Sequence, residues 1–149
     1  MIRLSQLVGQ RVLAADSGQL IGSLRRVLVE PTVPAVALAQ VDGAADGQPS
    51  VVDWSAVASI GPDALMVERA DAVRQSRDEG EERFVQGKLE ITGKLVLDEG
   101  GDTLGPLEDL EFDERNGRLL RLYVPGHAVE IERIVALGPD ALIVPVASD

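Results

Sequence analysis

Cysteine is absent from the chain, which excludes disulfides, thiolate nucleophiles and thiolate metal sites in one step. Histidine occurs once, at His127, and a single imidazole without a second His or a Cys cannot build a zinc site. Aromatics make up only 3% of residues against 45% hydrophobic overall. A core with so few rings is built from Val, Leu, Ile and Ala, a β-branched mixture that fits strands. Cations run short as well: 14 Lys and Arg face 25 Asp and Glu, a net charge of −11. Tracking a phosphate backbone needs clustered cations, so direct contact with nucleic acid is not expected.

Long apolar runs are missing too. The most apolar stretch, residues 33–41, is too short to span a bilayer and is interrupted by Pro34. The first residues, MIRLSQLVGQR, have neither a basic leader nor a long apolar segment. The expectation is a soluble, cytoplasmic protein with no direct membrane insertion, reaching a membrane only through a membrane-bound partner. No glycine pattern cradles a nucleotide, since Gly87-Lys88 and Gly93-Lys94 are each followed by Leu. No cofactor is expected.

What is present is a repetition. GPDALMV begins at Gly61 and GPDALIV at Gly138, 77 positions later. Val52-Asp53-Trp54 matches Val129-Glu130-Ile131 at the same offset, while Gly22 to Val27 matches Gly105 to Leu110 at 83 and Gly9 to Val12 matches Gly93 to Val96 at 84. The drift places six extra residues of the first copy within DGAADGQPS, residues 42–50, a composition that forms a lengthened surface hairpin. Self-similarity with insertions confined to a loop points to duplication of a folded unit.

Local signals within each copy are those of strands. Residues 11–15, the turn 16–19 and residues 20–29 read as a hairpin, as do 95–97, 98–102 and 104–112. Asn116-Gly117 predicts a type I′ turn, whereas the first copy has Pro31-Thr32-Val33-Pro34 there. Each Gly-Pro-Asp predicts a tight reversal followed by a closing strand. Five or six short strands per copy predict a small barrel, because closure removes sheet edges. Residues 71–86, DAVRQSRDEGEERFVQ, read as a flexible linker or a short frayed helix.

The pattern Gly93-Lys94-Leu95-Val96, then Leu104-Gly105-Pro106-Leu107-Glu108-Asp109-Leu110-Glu111-Phe112-Asp113, then Leu119 to Val124, resembles a PRC-barrel domain. The first copy resembles it more loosely. The resemblance covers residues 2–70 and 87–147 and rests on fold-marking glycines and apolar positions. The family includes the cytoplasmic domain of the photosynthetic reaction-centre H subunit, the C-terminal domain of a ribosome maturation factor, and archaeal division adaptors. It implies an all-β chain of two small PRC-type β-barrels in tandem, residues 1–70 and 87–149, joined by a polar linker at 71–86. It also implies a non-enzymatic role in docking other proteins.

Candidate residues lie where the copies disagree. Arg25-Arg26 stand where the second copy has Glu108-Asp109, so the charge is inverted. These residues either form a docking patch, pair with one another between the barrels or between chains, or are solvated surface charges. Trp54 replaces Ile131 and is either core filling or an anchor for a partner. Residues 1–70 carry 5 basic and 7 acidic groups and residues 87–149 carry 6 and 13, or −2 against −7. The second copy could thereby steer a basic partner, or the charge could serve solubility. Asp98-Glu99-Gly100-Gly101-Asp102 lacks the oxygen ligands of a calcium loop and reads as a hairpin turn. His127 reads as a turn residue, so no metal-binding or catalytic residue is expected. The sites expected to bind protein are Arg25, Arg26, Trp54, Glu108 and Asp109. The expected partner is another protein, membrane-associated or ribosomal, with a homodimer also open. A ribosome-associated maturation factor docking a ribosomal protein is the alternative function.

Overall fold

The computed structural model describes residues 1–43 and 47–146. Residues 44–46 of the expected insertion hairpin, and 147–149 at the end of the second copy, lie outside the described residues. The chain is mostly β, with 47% strand against 12% helix. It starts with a two-residue strand β1 (Ile2–Arg3) and one helical turn α1 (Leu4–Leu7). The first copy then supplies β2 (Arg11–Ala14), β3 (Leu20–Glu30), β4 (Ala35–Asp42), β5 (Ser50–Asp53), β6 (Val57–Ile60) and β7 (Ala64–Val67). After helix α2 (Glu79–Val85), the second copy supplies β8 (Leu95–Asp98), β9 (Thr103–Pro106), β10 (Asp109–Phe112), β11 (Leu119–Val124), β12 (His127–Glu130), β13 (Ala136–Leu137) and β14 (Ala141–Val144).

The first copy forms one sheet in the order β5-β4-β3-β2-β7-β6. The second repeats that order, but in two sheets, β12-β11-β10 with β1 added to its end, and β9-β8-β14-β13. Two prolines account for the break. In the first copy Ser23 pairs with Asp42 and keeps β3 continuous; the equivalent residues are Pro106 and Pro125, neither of which has an N–H to extend a ladder. Both glycines beside this point are closely covered. A Cβ on Gly22 would come within 2.1 Å of the Asp42 carbonyl oxygen, and one on Gly105 within 2.9 Å of the Pro125 ring.

None of the three sheets closes into a barrel among the described residues. The expectation of closure rested on hiding sheet edges, and here the edges are blunted by brevity: β5, β6, β9 and β12 have 4 residues each and β13 has 2. The repeated heptapeptide does form a turn and a following strand in both places. The Gly61 N–H donates to the Ala64 carbonyl at 2.9 Å and the Gly138 N–H to the Ala141 carbonyl at 3.0 Å. The strands so begun run parallel to β2 and β8 in one register, Val12 opposite Leu65 and Val96 opposite Leu142.

The Asn116-Gly117 turn departs from expectation. Type I′ geometry needs positive φ at both residues, but only Gly117 has it, at 78°. The loop is wider because side chains organise it: Asp113 accepts the Arg115 N–H at 2.9 Å, and Asn116 accepts the Arg118 N–H at 3.0 Å. These local bonds outcompete the tighter reversal.

That loop meets the first copy across a seam. Ala35 and Arg118, equivalent residues 83 apart, form an antiparallel bridge. The Val36 N–H donates to the Gly117 carbonyl at 2.8 Å, and the Leu119 N–H donates to the Pro34 carbonyl at 3.1 Å. Each bond is the other's image under the repeat, so an internal two-fold passes through the bridge. The buried residues of both copies, including the equivalent pairs Leu24 and Leu107, Leu65 and Leu142, and Leu7 and Ile91, form one continuous cluster.

Gly117→Ala tests the seam. A Cβ there would lie 2.6 Å from the Val36 carbonyl oxygen, whereas one on Gly9, at φ 92°, meets nothing within 4 Å. Gly9→Ala is expected to cost about 1 kcal/mol from backbone strain alone, and Gly117→Ala about 3 kcal/mol or more. Urea unfolding of both variants measures the difference.

Candidate functional site

The charge inversion between the copies has a structural partner. β1 leaves its own copy and pairs with β10, Ile2 opposite Phe112 and Arg3 opposite Glu111. Just beyond it, the Ser5 N–H donates to Asp109 at 3.0 Å and the Ser5 hydroxyl donates to the other carboxylate oxygen. The equivalent residue of the first copy, Arg26, meets the segment that leads into the second: its Nη1 donates to the Phe84 carbonyl at 3.5 Å and its Nε lies 3.4 Å from Glu90. Each copy therefore grips the lead-in of the other. An acid serves where the segment offers a hydroxyl and an amide, and a base serves where it offers a carbonyl and a carboxylate.

Direct pairing of Arg25-Arg26 with Glu108-Asp109 is not seen among the described residues. Arg25 is 57% exposed and faces Asp42 at 3.6 Å, while the Arg26 side chain is 12% exposed. Trp54 is 5% exposed. Its indole N–H donates to the Glu114 carbonyl at 3.2 Å and its ring stands edge-on to Phe112 with centroids 5.3 Å apart, so it packs across the seam. Of the five expected residues, only Glu108 and Asp109 share a cavity.

That cavity is an open groove of about 500 Å³ over β10, β11 and β12, lined by Arg3, Glu108, Asp109, Tyr123, His127 and Ala128 among others. Arg3 lies with its guanidinium carbon 3.8 Å from the Tyr123 ring centroid. Glu108 and His127 are exposed. Sequence reasoning missed Arg3 and Tyr123. Only the crossing of β1 to the other copy brings Arg3 here, and no local pattern announces it.

The segment between the copies is built into the first one. Arg74 and Val51 exchange backbone bonds of 2.7 and 2.8 Å, which adds the chain to the edge of β5. The Arg74 guanidinium reaches both oxygens of Glu81, at 2.7 and 3.2 Å, and Asp53 at 3.1 Å. Asp78 caps α2 by accepting the Glu81 N–H at 2.8 Å. Phe84, 0% exposed, forms a second small core with Leu38 and Val51. The signals were there to read, a single aromatic in a polar run and an Asp-x-x-Glu capping pattern.

Chemically the groove offers carboxylates, a stacked guanidinium and a strand edge. Among the described residues no group of three or more His, Asp or Glu side chains is arranged to hold a metal ion, and the Asp98 carboxylate accepts the amides of Gly100 and Asp102 at 2.9 and 3.0 Å within its turn. No helix among the described residues is long and apolar enough to cross a membrane. Neither a family model nor a curated protein matches the chain.

Two measurements follow from these contacts. A double-mutant cycle of Ser5→Ala with Asp109→Asn should show coupling of about 1 kcal/mol, whereas the double reversal Arg26→Asp with Asp109→Arg should rescue neither single variant. For the linker, the hydrogen bond from Arg74, then that from the Arg77 amide, holds Glu81 below the usual carboxylate range. A depressed native value means the stability is fully present above the unfolded value of about 4.3 and is lost as pH falls through the native one. Urea midpoints taken downward from about pH 5 should therefore fall more steeply for the wild type than for Glu81→Gln.

Proposed function

We propose that this chain is a non-enzymatic adaptor or regulatory protein-binding module of the cytoplasm, built from two PRC-barrel-like units that share one core. The observation carrying this reading is the open groove over β10, β11 and β12, which sets the exposed carboxylate of Glu108 beside a sheet edge. The repeated strand order supports two related units, and the glycine and apolar pattern of the second copy supports the PRC-barrel resemblance. Fold-level likeness does not name the partner; the charge excess of the second copy, −7 against −2 for the first, favours a basic one.

The test is affinity capture with the tagged full chain from cytoplasmic, membrane and ribosomal fractions, followed by titration of each captured protein in purified form. A saturable complex that weakens as salt rises from about 50 to 500 mM is expected, since a Debye length near 10 Å at 0.1 M shrinks severalfold over that range. Cosedimentation with ribosomes alone would replace this reading with a maturation factor. No saturable partner in any fraction would remove it.

A further inference from the structure

The duplication presents the same face twice, covered in the first copy by a segment of the chain and in the second only where Arg3 and Ser5 meet Tyr123 and Asp109, with the edge of β12 left uncovered. In the first copy the face is filled by residues 74–90 of the chain itself. Val51 turns its N–H and carbonyl away from β4, and Arg74 takes both. Phe84 then covers Leu38 and Val51, while Arg26 holds the Phe84 carbonyl and Glu90.

The second copy keeps the backbone of this arrangement. β12 pairs with β11 as β5 pairs with β4: Tyr123 is opposite Ala128 and Leu122 opposite Val129, where Gln40 is opposite Val51 and Ala39 opposite Val52. Ala128 therefore occupies Val51's place, with its amide and carbonyl directed outward from the sheet. β12 ends its sheet, and among the described residues nothing bridges to Ala128.

The side chains of the face differ between the copies. Arg25 and Arg26 become Glu108 and Asp109, Leu28 becomes Glu111, Leu38 becomes Arg121 and Val51 becomes Ala128. Arg121 is already engaged by Glu111 at 3.3 Å and Glu130 at 3.1 Å. With Glu111 and Glu130 paired to Arg121 and Asp109 bonded to Ser5, Glu108 is the exposed carboxylate that lines the groove. The hydrophobic seat for an aromatic ring is gone; Asp109, in the place of the anchoring Arg26, is taken by Ser5, and Glu108, in the place of Arg25, is the exposed carboxylate beside the open edge.

We propose that this groove receives an extended, lysine- or arginine-bearing segment of a partner protein. The segment adds to β12 as a strand through the backbone of Ala128 and presents a cation to Glu108. The proposal rests on the adaptor reading and specifies its site. Strand addition supplies backbone bonds of any sequence, and selectivity comes from alternate side chains, which all fall on one face of an extended segment.

The probes are two fluorescein-labelled nonapeptides, one alternating lysine with threonine and one alternating glutamate with threonine, titrated against the full chain by anisotropy. The lysine peptide should bind saturably with a Kd below about 1 mM and the glutamate peptide should not. Glu108→Lys and Ala128→Pro should each weaken binding about tenfold or more, while Asp140→Lys, an equal charge change at an exposed turn away from the groove, should have little effect. Proline at 128 removes only an outward N–H, which an edge strand tolerates; thermal melts check that it folds. Slowed amide exchange at Ala128 on peptide addition reports strand addition directly, and together with Glu108→Lys decides the matter if the proline variant does not fold.

Failure of the lysine peptide to bind, equal binding of both peptides, equal losses in Asp140→Lys, or unchanged exchange at Ala128 would overturn the proposal. If a captured partner binds the Glu108→Lys variant as well as the wild type, the groove is wrong and the adaptor reading stands. If the peptide behaves as expected but no fraction yields a partner, the groove stands and the adaptor reading falls.

Discussion

Two backbone hydrogen bonds, from Val36 to Gly117 and from Leu119 to Pro34, fix the relation between the copies. They are short-range and directional, and together they leave no freedom of rotation between β4 and β11 at the seam. Trp54 can lie edge-on to Phe112 only because the seam brings the end of β5 over the β10–β11 loop. The leading segments cross for the same reason. With the copies held about a two-fold, the start of each lies beside the strand of the other that carries Arg26 or Asp109, and β1 adds to the end of the β10–β11–β12 sheet. The buried cluster shared by the two copies follows, since apolar faces held this way exclude water from a common volume.

Within that frame the copies have diverged in charge while keeping one strand order. A duplicated unit that kept Asp at position 26 would place a carboxylate beside Glu90; an arginine there turns a repulsion into an ion pair. The inversion that looked like a binding signal in the sequence is, at Arg26 and Asp109, first a matter of holding the lead-ins. At Glu108, exposed beside the groove, no such internal task accounts for the charge.

What could be read from the sequence was local. The Gly-Pro-Asp reversals, the strand after each, and the hairpins at the start of both copies depend on neighbours a few residues apart, and they stand where the pattern put them. Asn116-Gly117 misled because the dipeptide was weighed without Asp113, whose carboxylate reshapes the loop. Barrel closure was inferred from strand number, while the prolines at 106 and 125, where the second sheet divides, matter only once they are seen to occupy the places of the paired Ser23 and Asp42. The groove escaped for a like reason. Arg3 and Tyr123 are 120 residues apart and meet through the crossing of β1.

The crossing also orders events in time. Ile2 pairs with Phe112, so as the chain is synthesised, β1 has no strand to join until Phe112 has emerged. The first copy must assemble around a missing neighbour, its leading residues idle while more than a hundred others emerge, and closing a loop of that length is entropically slow as well as late. The two-residue strand Ile2–Arg3 is therefore laid only after β10 exists, and until it is laid that edge of β10 stands open.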